Sequence, residues 1–244
     1  PSEGFRLMRS SGLLALILPE LDHCAGVEQG ELHCFDVFEH SLASCDAAPA
    51  GGLEVRLAAL LHDIGKPASL KRTAAGGLAF HGHERLAADI TGSLLRRLRF
   101  PNDLIKRTRH LVLHHMFNYQ EQWSEAAVRR FIARVGERNI PDLLALRRAD
   151  QIGICGDRSP SPSLAAFQKR LELVLAGARA LSLKDLAVDG RDIMAALRLP
   201  SGPLIGLILK ELLESVLGDP ELNCKETLLE IARRFYEERL RAAP

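Results

Sequence analysis

The stretch that decides the fold lies at residues 57–67 and reads LAALLHDIGKP. Its first five residues are apolar helix formers, and Gly65 and Pro67 end the run soon after them. The pair His62-Asp63 therefore stands at the end of a buried helix, with Lys66 beside it. Because a polar pair loses hydration in an apolar setting, this position requires either a metal ion or hydrogen-bonding partners.

Helical patterning continues on both sides of this stretch. Leu and Ala dominate, aromatic residues make up 5% of the chain, and no alternating strand of useful length occurs. The best candidate for an extended or hairpin segment is Gly76–Phe80. We therefore predict an all-α fold. The predicted helices that bear on the argument are Glu3–Leu16, Phe35–Ala47, Leu53–His62, Glu84–Leu98, Asn102–Met116 and Pro141–Ile152.

The histidines are confined to one part of the chain. All nine occur before residue 116, and imidazole is the commonest nitrogen ligand for first-row metals. A His-Asp pair alone is commonly a hydrogen-bonded core pair, but here it belongs to an ordered set that favours a shared metal site. For Asp150, a salt bridge to Arg147 or Arg148 is the alternative. The set is His40, His62, Asp63, His83, His114 or His115, and Asp150.

Composition limits the classes of function. The chain has 244 residues, 47% of them hydrophobic, and a net charge of +1, which by itself does not indicate a nucleic-acid partner. Between Arg96 and Arg158 there are thirteen Lys or Arg residues and seven Asp or Glu residues, which indicates either a phosphate-attracting surface or ordinary solvated helix faces. No apolar run reaches the roughly 18 residues that span a bilayer, so we predict no membrane partner.

Cysteine usage indicates a compartment. The five cysteines are odd in number and show no CxxC spacing. This pattern is typical of a reducing cytosol, so we predict a cytoplasmic protein. The same pattern argues against a disulfide framework and against a thiolate zinc site.

Several stretches resemble one known family. LAALLHDIGKP resembles the signature of HD-domain metal-dependent phosphohydrolases, and the match is closest to the HD-containing body and tail of bacterial tRNA nucleotidyltransferases and poly(A) polymerases. Further stretches carry the same resemblance, which extends over nearly the whole chain. They are LLALILPEL at 13–21, FDVFEHS at 35–41, FHGHE at 80–84, LVLHHM at 111–116, AD at 149–150 and LAVDGRD at 186–192.

The resemblance implies an architecture. It implies an HD-domain helical core followed by a C-terminal helical extension. We predict an HD phosphohydrolase-like helical domain at residues 1–158, in which residues 1–34 form a neck-like lead-in. A helical tail at residues 159–244 follows, after the Pro-rich joint at Ser159–Pro162.

The resemblance also implies ligands for one or two divalent ions. His40, His62, Asp63 and Asp150 would hold the first ion. Asp63 would bridge to a second ion, held by His83 and by His115, with His114 as the alternative to His115. These ligand types do not distinguish Mn, Fe, Co, Ni or Mg.

The chemistry implied is hydrolysis of a phosphomonoester or phosphodiester on a nucleotide or an RNA end. His62, Asp63 and Lys66 are the predicted catalytic residues. Lys66, His33 and Arg99 are the predicted substrate-binding residues, although His33 is equally compatible with an ordinary surface position. Within the family, cyclic phosphodiesterase, 2′-nucleotidase and phosphatase activities are associated with this domain.

The alternative function is an RNA- or tRNA-binding helical body with a non-catalytic HD site. The chain has no D-x-D pair of carboxylates and no strand-rich head, so we expect that it cannot add nucleotides by itself. Because it begins at Pro1, we expect a piece of a longer protein. Either an N-terminal nucleotidyltransferase head has been removed, or the protein is a stand-alone relative of the helical body. An oligomer is left open, since the Leu-rich helix predicted at Leu204–Leu217 could pack against another subunit.

Overall fold

The computed structural model describes residues 1–30, 33–73, 77–177 and 181–241. Nearly all of their regular structure is helical, which confirms the predicted all-α class. Within these ranges the strands are β1 (Lys71–Arg72) and β2 (Leu78–Ala79), which pair antiparallel with Lys71 opposite Ala79. The extended segment predicted at Gly76–Phe80 thus contains β2, while Gly76 lies outside the described residues.

Short 3-10 helices interrupt the α-helices at Glu137–Asn139, Leu183–Asp185 and Pro220–Leu222. None of the described helices is both long enough and apolar enough to cross a membrane. The α-helices are α1 (Ser2–Ser10), α2 (Leu13–Ile17), α3 (Pro19–Asp22), α4 (Val37–Ala47), α5 (Leu53–Leu61), α6 (Lys66–Ser69), α7 (His83–Arg97), α8 (Asn102–His114), α9 (Glu125–Val135), α10 (Ile140–Cys155), α11 (Pro162–Gly177), α12 (Gly190–Leu197), α13 (Pro203–Gly218) and α14 (Lys225–Arg241).

The helices that carry the histidine and aspartate set end within a few residues of the predicted positions. The helix predicted at Glu3–Leu16 is instead broken into α1 and α2, because Gly12 between them adopts a left-handed backbone with φ of 74°. At α4, the Asp36 side chain accepts a hydrogen bond from the Glu39 amide at 2.8 Å, which caps the helix.

The chain forms two compact units. The first unit comprises Pro1–Asn118 and Arg138–Ala165, and the second comprises Tyr119–Glu137 and Ala166–Pro244. The second unit therefore includes α9, which precedes the predicted joint at Ser159–Pro162. The predicted domain boundary between residues 158 and 159 stays a prediction, and the compact units are not continuous in sequence.

In the first unit, α4 packs against α10 and α7 packs against α8, while α5 contacts α4, α8 and α10. Each of these helices contributes fully buried apolar side chains, such as Phe38, Leu61, Leu95, Leu111 and Leu146. Helix α5 is thus surrounded by helices, and its C-terminal end lies in the interior of the unit.

The second unit has its own aliphatic core, to which α12, α13 and α14 contribute. The members from α13 recur every three or four residues and so share one face of that helix, while Leu186 and Val188 precede α12. The members of this core are Leu186, Val188, Ile193, Ile205, Ile208, Leu212, Val216, Leu228 and Ala232.

The pairing of two cysteines differs from the prediction made from the sequence. Cys34 and Cys155 form a disulfide whose Cα atoms are 5.1 Å apart, whereas the sequence argued against a disulfide framework. The two residues are 121 positions apart, so the bond connects the segment before α4 to the end of α10. Cys24, Cys45 and Cys224 are free. Two cysteines so distant in sequence meet only because α4 packs against α10, and their spacing carried no sign of this contact.

Candidate metal centre

Six of the predicted ligand residues come together inside the first unit, and all six are buried. They come from five helical elements, of which α4, α8 and α10 pack against α5 and α7 packs against α8. They are His40 within α4, His62 and Asp63 directly after α5, His83 at the start of α7, His115 directly after α8, and Asp150 within α10.

The first group of ligand atoms surrounds the Nε2 atoms of His40 and His62, which lie 3.1 Å apart. Asp63 Oδ2 lies 3.4 Å from His40 Nε2 and 3.3 Å from His62 Nε2. Asp150 Oδ1 lies 3.2 Å from His40 Nε2 and 3.4 Å from His62 Nε2. Two imidazoles and two carboxylates thus point at one small volume.

The second group uses the other oxygen of Asp63. Asp63 Oδ1 lies 3.3 Å from His83 Nε2 and 3.7 Å from His115 Nε2. The two imidazole Nε2 atoms are 3.3 Å apart. Asp63 therefore belongs to both groups, with one oxygen directed at each.

These separations fit metal ligation. Imidazole nitrogen and carboxylate oxygen bind first-row divalent ions at about 2.0–2.2 Å. Two ligands at such a distance are then about 3.0 Å apart at an octahedral right angle and about 3.4 Å apart at a tetrahedral angle. The distances that join His40 and His62 to each other and to each carboxylate, from 3.1 to 3.4 Å, lie in this interval. The ligand atoms of His40, His62 and Asp63 all lie within 4.8 Å of one another, and Asp150 is not part of this tighter group. The second group is slightly wider and has three protein ligands.

Backbone carbonyls orient three of the four imidazoles. The Nδ1 atoms of His62, His83 and His115 lie 2.9, 2.7 and 2.7 Å from the carbonyl oxygens of Ala59, Phe80 and Val112. A carbonyl only accepts, so each Nδ1 donates and each neutral Nε2 keeps a lone pair for an ion.

The buried carboxylates control the charge at the centre. For Asp63, burial opposes ionisation, but His62, His83 and Lys66 outweigh it and hold the carboxyl pKa well below its usual range. Burial likewise opposes the charge of Asp150, and His40 and His62 again outweigh it, so this pKa is also well below the usual range.

The pKa values of His62 and His115 are shifted in opposite directions. Burial disfavours a charge on His62, but Asp63 and Asp150 overcome it and raise the His62 pKa to about 10. For His115, burial and the neighbouring charge of His62 lower the pKa to about 3. The two buried carboxylates thus favour positive charge at this point, and a divalent cation would supply more of it than a single proton.

Lys66 adjoins the centre, as predicted. Its Nζ lies 2.7 Å from Asp63 Oδ2 and donates to Gln29 Oε1 at 2.6 Å. The ammonium also lies 5.5 Å from the ring centroid of Phe80. Gln29 could not be predicted from the sequence, because a single glutamine in the lead-in segment belongs to no motif or periodic pattern.

The salt bridge considered as the alternative role of Asp150 is present, and the predicted ligand role remains compatible with it. Its Oδ2 pairs with Arg147 Nη1 at 2.7 Å, while its Oδ1 faces His40 and His62. The salt bridge therefore holds the carboxylate in position and leaves one oxygen directed at the ligand group.

The remaining predicted residues differ in position. His33 is half-buried, and its ring centroid lies 5.6 Å from that of His40, so it borders the centre. The ring of His114 instead lies 4.5 Å from that of His110. Arg99 is exposed in the turn after α7, with φ of 60°, and among the described residues no hydrogen bond or ion pair joins it to the centre. Its predicted role in substrate binding has no support from this geometry.

The chain matches one family model and several known proteins. The model for tRNA nucleotidyltransferase domain 2 matches residues 84–232. The chain is 36% identical over 247 residues to the A-adding tRNA nucleotidyltransferase of Deinococcus radiodurans, an alignment covering 97% of this chain and 55% of the relative. It is also 36% identical over 218 residues to the CC-adding tRNA nucleotidyltransferase of Thermus thermophilus, covering 87% of this chain and 48% of the relative.

A third relative is the Multifunctional CCA protein of Methylobacillus flagellatus, at 34% identity over 185 residues, covering 71% of this chain and 44% of the relative. The chain thus spans about half the length of the curated relatives it matches. The family model includes His115 and Asp150 but begins after His83. The match to the model therefore does not test the ligand set as a whole.

Proposed function

The chain belongs to the tRNA nucleotidyltransferase family, and from this premise we propose that it is the helical body with which a longer enzyme holds tRNA. The observation that carries the proposal is the family match, which runs through helices of both units. The relatives are named for adding nucleotides to tRNA, and they are about twice as long as this chain. A nucleotidyltransferase head in the rest of the protein would supply the carboxylate pair that this chain lacks.

Exposed cations give this body a physical means of binding RNA. Arg96, Arg99 and Lys106 are exposed around the turn between α7 and α8. Binding of Lys and Arg to phosphates releases counterions, so such binding weakens as salt is raised. The locally basic stretch between Arg96 and Arg158 is the part of the chain best suited to this role.

Fluorescence anisotropy with labelled tRNA, at several salt concentrations and with or without a chelator, tests this proposal. We expect binding that survives chelation and that weakens in a triple variant with Arg96→Ala, Arg99→Ala and Lys106→Ala. The slope of log K against log salt should become shallower by about one for each cation that no longer pairs with a phosphate. The matched control removes three exposed cations of the second unit by Lys184→Ala, Arg191→Ala and Lys210→Ala. An equal weakening in both triple variants, or no tRNA binding by the unaltered chain, would contradict the proposal.

A second candidate function is hydrolysis of a phosphoester at the candidate metal centre. The observation that favours it is the convergence of two ligand groups on the two oxygens of Asp63. The names of the relatives concern nucleotide addition, so family membership favours the first function and the site geometry favours the second. Both could operate in one protein, because the exposed cations and the buried centre are separate groups of residues.

The residues at the candidate metal centre would have different roles in this second function. A bound divalent ion would supply Lewis-acid activation of water and of a phosphate oxygen. His40, His62, Asp63 and Asp150 would hold one ion, and Asp63, His83 and His115 the other. The Lys66 ammonium, beside Asp63, would stabilise the negative charge that develops on the phosphoryl group. His33, which borders His40, would donate a hydrogen bond to the substrate.

Elemental analysis together with a phosphodiesterase assay tests the second function. We expect the protein to take up Mn, Co, Ni, Fe or Mg, and to hydrolyse a 2′,3′-cyclic nucleotide only when loaded. Asp63→Asn keeps the side-chain shape but removes the shared charge, so both ions and activity should be lost. Asp157→Asn, at an exposed carboxylate, is the control. If the unaltered protein hydrolyses no phosphoester with any of these ions, the centre is not hydrolytic.

A further inference from the structure

Helices α4 and α10 pack tightly against each other at Gly153. A Cβ built on Gly153 would overlap Ser44 Oγ and would lie 3.1 Å from both His40 O and Ser44 Cβ. Contacts under 3.0 Å essentially never occur for real Cβ atoms, and those from 3.0 to 3.4 Å are tighter than nine in ten. The overlap is with Ser44 Oγ alone, whereas the two contacts at 3.1 Å require the neighbouring atoms to shift by only a few tenths of an ångström. With the Ser44 hydroxyl in place, the packing of these two helices therefore leaves no room for a methyl group at position 153.

This close approach lies one turn from two predicted ligands. Gly153 follows Asp150 by three residues on α10, and Ser44 follows His40 by four residues on α4, so each pair shares a helix face. His40 Nε2 and Asp150 Oδ1 are 3.2 Å apart across the same helix pair. Any separation of α4 from α10 at Gly153 would widen this gap directly.

A second glycine, Gly65, makes a similarly close approach next to the second group of ligand atoms. A Cβ on Gly65 would lie 2.5 Å from His83 O and 2.8 Å from Ala87 N. Both are backbone atoms at the start of α7, so no side-chain rotation could relieve the contact. Gly65 follows Asp63 by two residues, so its close approach to the backbone of α7 lies beside the 3.3 Å separation of Asp63 Oδ1 and His83 Nε2.

We propose that these glycines are positioning residues, each governing one half of the metal centre. Gly153 sets the distance between His40 and Asp150 for the first ion, and Gly65 sets the distance between Asp63 and His83 for the second. Neither glycine touches an ion or a substrate. The inference rests on the proposed metal centre and adds that the two ion sites are mechanically separable, because His83 and His115 belong to neither α4 nor α10.

Binding of Mn²⁺ and Co²⁺ to the full chain, by calorimetry and elemental analysis, tests this inference. We expect Gly153→Ala to weaken the first site by about 10–100-fold, the range for changes that disturb ligand orientation, and to leave the second site unchanged. Repeating the titration in His115→Ala, which keeps the first ligand group, and in His40→Ala, which keeps the second, assigns each weakening to a site. Circular dichroism in the same buffer reports whether each variant is folded.

Two further variants separate positioning from a general loss of stability. Ser44→Ala alone should bind ions normally, because Ser44 Oγ has no hydrogen-bond partner among the described residues. Ser44→Ala combined with Gly153→Ala should recover most of the affinity, since the overlapping atom is gone. Gly206→Ala is the matched helical control, because a Cβ there meets no atom within 4 Å.

The results of these binding measurements distinguish a failure of the positioning role from a failure of the metal centre. Equal weakening of both sites by Gly153→Ala, or failure of Ser44→Ala to restore the first site, would overturn the positioning role while leaving the metal centre in place. If Gly153→Ala does not fold, the double variant carries the same test, and an unfolded double variant counts against the proposal. If the unaltered protein binds no ion, the metal centre itself fails, and the inference fails with it.

Discussion

The two compact units use similar helices to build opposite kinds of interior. The second unit is filled by the aliphatic cluster that includes Ile208 and Leu212, and its buried Arg129 donates to the carbonyls of Leu217 and Gly218. The first unit buries four histidines and two aspartates at its centre, together with Lys66. Within the described residues, both candidate metal-ligand groups lie in the first unit. Burial of apolar area is sufficient to stabilise one interior, while the other also needs positive charge at a defined point.

The largest expected difference concerns the disulfide, which belongs to the first unit alone. A disulfide that closes a loop of this length stabilises a protein by up to about 5 kcal/mol, because it lowers the conformational entropy of the unfolded chain. A reductant should therefore lower the free energy of unfolding of the first unit, as followed by hydrogen exchange of α4 and α10. Amides of α13 should keep their protection.

Thiol counting provides the control for this prediction. The unreduced protein in denaturant should show the three free thiols of Cys24, Cys45 and Cys224. A double variant, Cys34→Ser with Cys155→Ser, should be insensitive to reductant. Five free thiols before reduction would show that the bond is not formed in the protein.

Truncation in the aliphatic core should affect only the second unit. Leu212 is fully buried in α13, so Leu212→Ala should cost about 2–5 kcal/mol, because apolar burial is reduced and a cavity is left behind. Leu207, on the same helix and 40% exposed, is the control, and its replacement by Ala should cost less than about 1 kcal/mol. Urea unfolding with and without Mn²⁺ is the measurement. If the loss in free energy of unfolding caused by Leu212→Ala changes when Mn²⁺ is added, the stability of the second unit is not independent of the ion.

Metal addition should stabilise the first unit and not the second. At an ion concentration about 100 times the dissociation constant, binding to the folded state adds about 2.7 kcal/mol. Hydrogen exchange of α5 and α10 should slow on addition of Mn²⁺ and recover after chelation, with no change in α13. His40→Ala should show a smaller response, because it removes one of four ligands of the first group. Equal protection of both units would mean that the ion acts elsewhere.

The smallest expected effect compares two neighbouring arginines of the second unit. Arg129 is buried and donates to the last carbonyls of α13, so Arg129→Met should cost about 1.5–3 kcal/mol, the range for hydrogen bonds to charged groups. Arg130 pairs with Glu214 at the surface, and Arg130→Met should cost about 0–1 kcal/mol. Thermal unfolding measures both. Similar costs would show that burial does not decide the contribution of a cation in this unit.

Sequence alone was sufficient for the helical class and for the ordered set of His and Asp residues that lie buried together in the structure. Apolar periodicity places His62-Asp63 at the end of a buried helix, because the 3.6-residue repeat is a local property of the chain. The confinement of all histidines to the region before residue 116 predicted that the site belongs to one part of the molecule, and they all lie in the first unit. The roles of these residues stay predictions until an ion is measured.

Tertiary packing decided what no local pattern contains. His114 and His115 are adjacent in sequence, yet only His115 faces Asp63, because successive residues at a helix end point about 100° apart. The contact of Gln29 with Lys66, the disulfide between Cys34 and Cys155, and the inclusion of α9 in the second unit all join distant parts of the chain. Such contacts depend on which helix faces meet, as the faces of α4 and α10 meet beside Gly153. The sequence thus determined which residues were available for a metal centre, and only the close packing of helices decided which of them reach it.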